Sequence, residues 1–212
     1  MKTADIVIVG GSAAGIEAAI TAQRHYQNKK ILVIRKEKQA LVPCGIPYIM
    51  GTLGSAEKDV IPNSLLGDAE LIIDEVTSIN REEKNIICKK EGGIGYDKLI
   101  LSTGSRPLTP PIPGADLENV FTIRKDINYL KKLQNALNNS EDVVIIGGGF
   151  IGAEFADECR KMGLKVTIVE LLEHCLYLNC DEDFCIRIEE KMREAGVQVN
   201  TQNRVSFIGD RK

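Results

Sequence analysis

Two stretches of the sequence decide the fold: Asp5–Ala19 reads DIVIVGGSAAGIEAA, and Asp142–Ala156 reads DVVIIGGGFIGAEFA. Aligned on Gly10 and Gly147, which are 137 residues apart, they agree at eight of fifteen positions. Each opens with an apolar, β-branched run typical of a strand buried on both faces, and then passes through glycines into a helical pattern. The distance between the copies is far longer than a solenoid repeat, so we predict two copies of one supersecondary unit.

Each copy is predicted to continue as a βαβ unit. In the first copy, Ala13–Tyr26 has a helical pattern and Ile31–Ile34 has the pattern of the following strand. In the second copy, a helix is predicted over Ile151–Met162, Gly163 ends it, and Val166–Val169 form the strand.

Between the copies the pattern becomes antiparallel. Leu71–Ile79 and Asn85–Lys89 flank a polar turn and predict a hairpin, and Tyr96–Leu101 predicts a further strand. The predicted fold class is therefore α/β, with two Rossmann-like dinucleotide-binding units that have parallel sheets, plus an antiparallel β-meander in the first unit.

The best domain boundary is the proline-rich stretch Thr109–Gly114, whose sequence TPPIPG predicts a stiff linker. We therefore predict a first domain over residues 1–108, a linker over 109–116 and an incomplete second domain over 117–212. The second domain would end near a candidate strand at Arg204–Ile208.

The composition is that of a globular chain that buries a core, with 43% hydrophobic and 27% charged residues. Its 27 basic and 30 acidic residues are interspersed, and its apolar runs are far shorter than the roughly 20 residues that a membrane span needs. We therefore expect neither nucleic acid nor a membrane as a partner. The N-terminus lacks the pattern of a secretory signal, which predicts a cytoplasmic protein whose six cysteines stay mostly reduced.

The stretch Gly10–Gly15, GGSAAG, fits the dinucleotide-binding pattern GxGxxG except that Ser12 replaces the second glycine. In this pattern the first glycine allows a tight turn, a small second residue lets the backbone approach a pyrophosphate, and the third lets the helix pack on the strand. The second copy has all three glycines, Gly147, Gly149 and Gly152. Both copies follow a predicted strand and open a predicted helix, so two nucleotide sites are predicted.

Dinucleotide-binding units usually carry an acidic residue at the end of the second strand, where it accepts hydrogen bonds from ribose hydroxyls. The first copy has Arg35 there, with Glu37 two positions later. The second copy has Glu170, followed by Leu171 and Leu172 rather than by basic residues. This pattern favours a free ribose 2′-hydroxyl, and hence NADH rather than NADPH.

Four motifs in order resemble the FAD-dependent pyridine nucleotide-disulfide oxidoreductases. They are Asp5–Glu17, Val42–Tyr48 (VPCGIPY), Tyr96–Pro107 (YDKLILSTGSRP) and the sequence GGGFIGAEFADE. The single cysteine in CGIPY is similar to the branch that contains coenzyme A disulfide reductase, NADH oxidase and NADH peroxidase. The resemblance implies FAD and NADH as cofactors, and a homodimer for the full-length protein.

The resemblance also implies which residues bind the cofactors. Gly10, Ser12 and Gly15 would hold the FAD pyrophosphate, and Thr103 and Gly104 would lie near the flavin. Further candidate positions for FAD are Ala13, Ala14, Arg35, Lys36 and Pro43. The candidate positions for NADH are Gly147, Gly149, Phe150, Ile151, Gly152, Glu170 and, near the nicotinamide, Glu154.

Cys44 is the predicted catalytic residue. Pro47 is placed to begin a short helix through Met50, so the thiol would lie near a helix N-terminus that favours the thiolate. A thiolate beside a flavin can accept electrons and attack a disulfide or a peroxide. Because no second cysteine lies within a few residues, the sulfur would alternate between a thiolate and a sulfenic acid or mixed disulfide. The alternative is a small thiol that only packs in the core.

The other cysteines and the histidines carry weaker hypotheses. No metal site is predicted, because the spacing does not match zinc ligands in the group His174, Cys175, Cys180 and Cys185. Packing roles are predicted for Cys88 in a strand and Cys159 in a helix, and Cys185 is predicted to lie inside a helix over Asp183–Ala195. His25 is predicted to end the first helix, where a basic residue suits the helix dipole.

The substrate is predicted to be a small molecule of open identity. Arg24 is the candidate contact for a substrate phosphate, as in coenzyme A. However, Ala40–Pro43 replaces the polar residues that precede the cysteine in coenzyme A disulfide reductases. A disulfide, a persulfide, a peroxide and oxygen all stay open as electron acceptors.

The main functional hypothesis is an NADH-dependent flavoprotein oxidoreductase that acts through Cys44. The alternative is a non-catalytic nucleotide-binding redox sensor, or a fragment inactive by itself, because the chain stops at Lys212 inside the second unit. A ferredoxin-reductase-like enzyme of the same superfamily is a third hypothesis, but it gives Cys44 no role.

Overall fold

The computed structural model describes residues 1–209, so the last three residues of the predicted second domain lie outside the described residues. The chain forms two compact units. The first combines Met1–Pro43 with Val60–Arg106, and the second combines Cys44–Asp59 with the chain from Pro107 onward. No helix within the described part of the chain has the length and apolar character needed to cross a membrane.

A six-stranded sheet forms the centre of the first unit. The strands of this unit are β1 Lys2–Val9, β2 Ile31–Arg35, β3 Ala40–Leu41, β4 Val60–Ile61, β5 Glu70–Ile73, β6 Val76–Asn80, β7 Asn85–Cys88 and β8 Gly92–Leu101. The sheet has the order β5-β2-β1-β8-β7-β6, and β3 pairs with β4 outside it. Strands β5, β2, β1 and β8 run parallel, whereas β6, β7 and the first part of β8 form the predicted antiparallel meander.

Apolar layers cover both faces of this sheet. Helix α1, Ala13–His25, packs Ile16 and Ala19 against one face. Ile86 and Ile94 fill the layer on the other face. Because both faces are covered, β2 is buried along its whole length, as the continuous apolar run predicts. The helix also ends at the histidine that was predicted to end it.

The predicted single strand Leu71–Ile79 is wrong, because the chain turns at Asp74 and separates β5 from β6. Asp74 is buried, and its carboxylate accepts hydrogen bonds from the backbone N–H groups of Lys90 and Glu91, each at 2.9 Å. These bonds hold the turn, so β5 extends the parallel sheet beside β2. Strand β8 begins earlier than the predicted Tyr96 because its first part pairs with β7.

The second unit contains a parallel sheet and three helices. Its strands are β9 Asp142–Ile146, β10 Lys165–Val169 and β11 Val197–Asn200, and its helices are α2 Ile127–Asn138, α3 Phe150–Lys161 and α4 Glu182–Glu194. The strand order is β11-β10-β9, and both pairings are parallel. The predicted second βαβ unit is therefore confirmed, with α3 beginning one residue earlier than the pattern indicates.

The predicted strand Arg204–Ile208 is wrong. The described residues after β11 have no regular secondary structure, and the N–H of Ile208 donates instead to the Pro113 carbonyl at 2.8 Å. Gly114 lies so close that a Cβ there would stand 2.0 Å from the Ile208 carbonyl oxygen. The end of the predicted linker 109–116 is thus packed against other parts of the chain.

The segment Cys44–Asp59 departs from the predicted domain division, because it groups with the second unit rather than with the residues on either side of it. Two helices of that unit hold it. The Gln134 amide on α2 donates to the Ile49 carbonyl at 3.0 Å, and Glu158 on α3 accepts hydrogen bonds from Thr52. These partners are 85 and 106 positions apart in sequence, so no local pattern predicts the grouping.

Candidate functional site

The first glycine loop joins β1 to α1. Gly10 has a φ of 110°, and a Cβ there would stand 2.1 Å from the Ser102 carbonyl oxygen, so only glycine fits. A Cβ on Gly15 would stand 1.9 Å from the Gly10 carbonyl oxygen, because the helix packs directly on the loop. Both glycines therefore have the steric roles that the GxGxxG pattern predicts.

The second glycine loop, between β9 and α3, repeats this geometry. Gly147 has a φ of 103°, and a Cβ on Gly152 would stand 2.0 Å from the Gly147 carbonyl oxygen. In both loops the N–H of the first glycine donates to the end of the neighbouring strand, from Gly10 to Ile34 at 2.8 Å and from Gly147 to Val169 at 2.9 Å. Two distant stretches of the chain thus form the same turn.

Both loops leave a helix N-terminus open to an anion. Helix α1 follows Ser12, whose side chain accepts no hydrogen bond from the helix, and α3 follows Gly149, which has no side chain. Neither first turn contains an acidic residue. The backbone N–H groups at such a terminus, together with the helix dipole, attract phosphate. Within the described chain, no atom apart from those of Gly149 and its two chain neighbours lies within 4 Å of a Cβ position on Gly149. The residues present therefore fit a dinucleotide pyrophosphate at each loop.

Ser12 occupies the position where the first motif lacks its middle glycine. Its hydroxyl donates to the Leu41 carbonyl at 3.1 Å, which directs the side chain towards β3. Its backbone is extended, with a φ of −103°, and any residue can adopt this conformation. The substitution therefore leaves the first N–H groups of α1 uncovered.

Arg35, at the end of β2, is buried and supports the first loop. Four of its five N–H donors have protein acceptors, namely the carbonyls of Gly11, Glu37 and Lys38 and the amide oxygen of Asn63. Burial lowers the pKa of the guanidinium, which still stays charged at neutral pH. A guanidinium only donates hydrogen bonds, so Arg35 cannot accept one from a ribose hydroxyl as a carboxylate at this position would.

Glu170, at the end of β10, is 9% exposed and contacts the second loop directly. Its carboxylate accepts hydrogen bonds from the N–H groups of Gly148 at 2.5 Å and Leu172 at 2.7 Å. A carboxylate has about four acceptor positions, so capacity remains for ribose hydroxyls. The residue that the sequence singles out for ribose binding therefore also holds the loop in place.

Sequence reasoning missed two residues that support the second loop, Cys175 and Glu189. A Cβ on Gly148 would stand 2.4 Å from the Cys175 sulfur, so the thiol packs against the loop. The Cys175 N–H donates at 2.8 Å to Glu189, which is buried on α4 and also accepts from Arg193. The only local signal is that Cys175 closely follows Glu170 in sequence. No cluster of possible metal ligands occurs among residues 1–209.

Cys44 lies in an exposed 3-10 turn, Pro43–Gly45. A second 3-10 turn follows at Pro47–Ile49, so a helical segment begins at Pro47 as predicted. The segment contains only three residues, and such a turn has no substantial dipole. The predicted helical segment is therefore a single short turn, and its effect on the thiol stays a prediction, whereas the exposure of Cys44 leaves its sulfur accessible to a small oxidant.

The other five cysteines are less accessible than Cys44. Cys88, Cys159, Cys175 and Cys185 are buried. Burial, together with nearby carboxylates, raises the pKa of Cys159 to about 11 and that of Cys175 to about 12, so both stay protonated at neutral pH. The predicted packing roles of Cys88 in β7 and Cys159 in α3 are confirmed, and Cys185 lies inside α4, as predicted.

The remaining candidate positions fall into two groups. Those in the chain near the loops or the thiol are Ala13 and Ala14 in the first turn of α1, Phe150, Ile151 and Glu154 at the start of α3, Thr103 and Gly104 shortly after β8, and Pro43 in the 3-10 turn that carries Cys44. Lys36 and Arg24 lie on the exposed surface, where Lys36 pairs with Glu75 at 3.2 Å and Arg24 occupies the last turn of α1. The length of α1 thus separates Arg24 from the first loop.

The family model described as pyridine nucleotide-disulphide oxidoreductase matches residues 4–212. The chain belongs to this family. It is 33% identical over 207 residues to an NADH oxidase of Methanocaldococcus jannaschii, and 31% identical over 202 residues to an NAD(P)H sulfur oxidoreductase (CoA-dependent) of Pyrococcus abyssi. These alignments cover 91% and 89% of this chain but 46% and 44% of the relatives. The chain therefore spans somewhat less than half the length of these curated relatives.

Solved structures of reductases share this fold. An NAD-dependent persulfide reductase from A. fulgidus matches with a TM-score of 0.89 at 29% identity, covering 97% of this chain and 41% of that one. A ferredoxin reductase from Rhodopseudomonas palustris matches with a TM-score of 0.89 at 26% identity, covering 100% of this chain and 53% of that one. The resemblance drawn from the four motifs is thereby confirmed, and the family and its NADH oxidase members support FAD and NADH as the cofactors.

Proposed function

We propose that this chain is the nucleotide-binding and thiol-bearing part of an NADH-dependent flavoprotein oxidoreductase. In this proposal electrons pass from NADH through FAD to Cys44, and from there to a small-molecule disulfide, peroxide or oxygen. The observation that carries the proposal is the pair of glycine loops with matching geometry, one in each unit. Two such loops in one chain suit one resident and one visiting dinucleotide.

The two loops would bind different ligands. Gly10–Gly15 and the N-terminus of α1 would hold the pyrophosphate of FAD, which when bound supplies a carrier for two electrons. Gly147–Gly152 and the N-terminus of α3 would hold the pyrophosphate of NADH. Glu170 would accept hydrogen bonds from the adenosine ribose of NADH and repel a 2′-phosphate in the same place.

Several further positions are proposed from the family resemblance. Thr103 and Gly104, which follow β8, would lie near the flavin, and Glu154 on α3 would lie near the nicotinamide. Lys36 and Pro43 remain proposed FAD contacts. Arg35 remains a proposed neighbour of the adenosine moiety, and its hydrogen bonds to the loop backbone favour an indirect effect on FAD through the loop.

Cys44 would supply the reacting sulfur. Its thiolate attacks one sulfur of a disulfide, forms a mixed disulfide and releases the other half as a thiolate. Two electrons from NADH and one proton then cleave the mixed disulfide, which restores the Cys44 thiolate and releases the second half as a thiol. With hydrogen peroxide, the thiolate takes one oxygen to form a sulfenic acid and releases hydroxide.

The electron acceptor is proposed only as a class. The P. abyssi relative named for coenzyme A dependence favours a thiol-containing substrate. Arg24 is exposed and could contact a phosphate of such a substrate. The apolar stretch Ala40–Pro43, which precedes the thiol, favours a less polar disulfide, a peroxide or oxygen. We further propose a cytoplasmic location, because six free thiols suit a reducing compartment, and a homodimer for the full-length protein.

The test is the visible absorbance of the purified protein supplied with FAD, measured before and after addition of NADH without oxygen. The proposal expects flavin bands that are bleached by NADH. A protein that binds both nucleotides without bleaching would instead support the second candidate, a nucleotide-binding redox sensor. The observation in favour of that candidate is that Arg35 occupies the position where the first unit would usually have an acidic residue to accept hydrogen bonds from the ribose.

A further inference from the structure

Glu158 is a buried carboxylate on α3 that binds the segment carrying Cys44. It is 1% exposed and accepts hydrogen bonds from the Thr52 N–H at 2.6 Å and from the Thr52 hydroxyl at 2.8 Å. The Lys161 ammonium donates to the same carboxylate at 2.7 Å. Although burial alone would raise the pKa of Glu158, these hydrogen bonds from Lys161 and Thr52 lower it, so the carboxylate is charged at neutral pH.

Gly51 allows this contact. A Cβ on Gly51 would stand 2.7 Å from the Glu158 carbonyl oxygen and 2.8 Å from its carboxylate oxygen. The backbone therefore reaches the surface of α3 only because this residue has no side chain. Such a close approach, with two hydrogen bonds from the next residue, fixes the segment at one point on the helix.

The chain between Thr52 and Cys44 is compact, so the position of one end sets that of the other. Ile46, Ile49 and Met50 are each 3% exposed or less. Within this stretch, backbone hydrogen bonds run from Met50 to Pro47 and from Leu53 to Tyr48. The anchor at Thr52 is therefore joined to the exposed thiol through two 3-10 turns, the second of which buries Pro47 and Ile49.

We propose that Glu158 is a positioning residue for Cys44: by holding Thr52 against α3, it sets the placement of the reactive thiol relative to the helix that opens at the NADH loop. The proposal deepens the proposed function, because it assumes that Cys44 is the reacting sulfur. Helix α3 begins directly after Gly149 and carries Glu158 near its other end. One helix therefore joins the nucleotide loop to the thiol segment.

The test measures the rate at which iodoacetamide alkylates each cysteine of the folded protein, by mass spectrometry. The substitution Glu158→Gln weakens the hydrogen bond from Lys161 and alters the two from Thr52. We therefore expect the rate of Cys44 alkylation to change by about threefold or more. Cys159, which is buried and adjacent to the substitution, should stay protected. Its protection separates a shift of the thiol segment from local unfolding of α3.

A pair of substitutions at Thr52 provides rescue by a conservative variant. Thr52→Val removes the hydroxyl donor and should change the Cys44 rate in the same direction as Glu158→Gln. Thr52→Ser keeps the hydroxyl and should restore the wild-type rate to within about twofold. If Glu158→Gln fails to fold, this pair still decides the proposal.

The matched control is Glu189→Gln, because Glu189 is also a buried carboxylate of the second unit but bonds to Cys175 and Arg193. It should leave the Cys44 rate unchanged. Unchanged alkylation of Cys44 in both Glu158→Gln and Thr52→Val would overturn the proposal, as would parallel loss of Cys159 protection. The proposed function fails separately if Cys44→Ser keeps full turnover. In that case the rate of Cys44 alkylation would still change in Glu158→Gln, but Cys44 would not be the reacting sulfur.

Discussion

The Glu170 carboxylate accepts a hydrogen bond from the Gly148 N–H at 2.5 Å, so the residue proposed to select the nucleotide also shapes the loop that holds it. The proposed selectivity and the loop geometry therefore depend on the same carboxylate. A change at Glu170 should affect both, and the two effects can be measured separately.

Glu170→Ala should reduce the preference for NADH over NADPH. In the wild type we expect flavin reduction by NADH to be at least about tenfold faster, because a 2′-phosphate would face the carboxylate. The variant should narrow this ratio and also lower the unfolding free energy by about 1–3 kcal/mol, since the Gly148 N–H loses its acceptor. Stopped-flow reduction with each nucleotide gives the ratio, and thermal denaturation gives the stability.

The exposed Glu173 provides the control, and Glu173→Ala should alter neither quantity. Equal rates with NADH and NADPH in the wild type would exclude Glu170 as the selecting residue.

Gly152→Ala and Gly149→Ala should separate folding from nucleotide binding in the second loop. A Cβ on Gly152 would stand 2.0 Å from a backbone oxygen, so we expect a loss of about 2–4 kcal/mol in stability without any nucleotide. The Cβ position on Gly149 is open and its φ is −70°, so Gly149→Ala should cost at most about 1 kcal/mol. It should instead raise the KM for NADH, because a methyl group would stand where the pyrophosphate approaches.

Denaturation of the nucleotide-free proteins measures the loss of stability, and rates measured over a range of NADH concentrations give the KM. A wild-type KM in Gly149→Ala would place the pyrophosphate elsewhere.

Cys44→Ser should keep FAD binding and flavin reduction by NADH but lose turnover with disulfide or peroxide acceptors. Serine cannot form a mixed disulfide or a sulfenic acid, so the path beyond the flavin is blocked. Steady-state NADH consumption with coenzyme A disulfide, peroxide and oxygen as separate acceptors measures the loss. The half-buried Cys180 offers the control, and Cys180→Ser should have wild-type rates. Wild-type turnover in Cys44→Ser would leave direct reaction of reduced flavin with oxygen as the leading mechanism.

Asp59 should make the protein less stable as the pH rises from about 4 to about 6. Burial raises the pKa of this carboxyl to about 6, and within residues 1–209 its Oδ2 has no hydrogen-bond partner. The folded state therefore binds a proton that the unfolded state has lost, so stability falls through this range and levels off above it.

Asp59→Asn should flatten the profile and be more stable than the wild type at pH 7.5 but not at pH 4. Melting temperatures across this range provide the measurement, with the exposed Asp116→Asn as control. An unchanged pH profile in Asp59→Asn would show that other groups cause the dependence.

The sequence predicts the nucleotide loops well because the last glycine of each motif meets an atom of the same βα unit. Gly15 and Gly152 each meet the carbonyl of a glycine five residues earlier, so the requirement is local and visible as a motif. The break at Asp74 was not predictable, because its partners Lys90 and Glu91 belong to a later turn.

The same reason applies to the candidate thiol site. Cys44 itself could be predicted from its short motif. The grouping of its segment with the second unit depends on Glu158, 106 positions after Thr52, and nothing near the cysteine indicates that partner.

The hydrogen bonds between Thr52 and Glu158 also set an order of events during synthesis. Domains fold as their contacts emerge from the ribosome, N-terminal parts first. Strand β1 can pair with β2 early, whereas the segment around Cys44 finds its partners on α2 and α3 only after the residues 85 and 106 positions further along the chain have been made. The nascent chain therefore carries Cys44, which is exposed in the finished fold as well, on an undocked segment for much of its translation, and a cell that makes this protein under oxidative stress exposes that thiol before the unit that holds its segment exists.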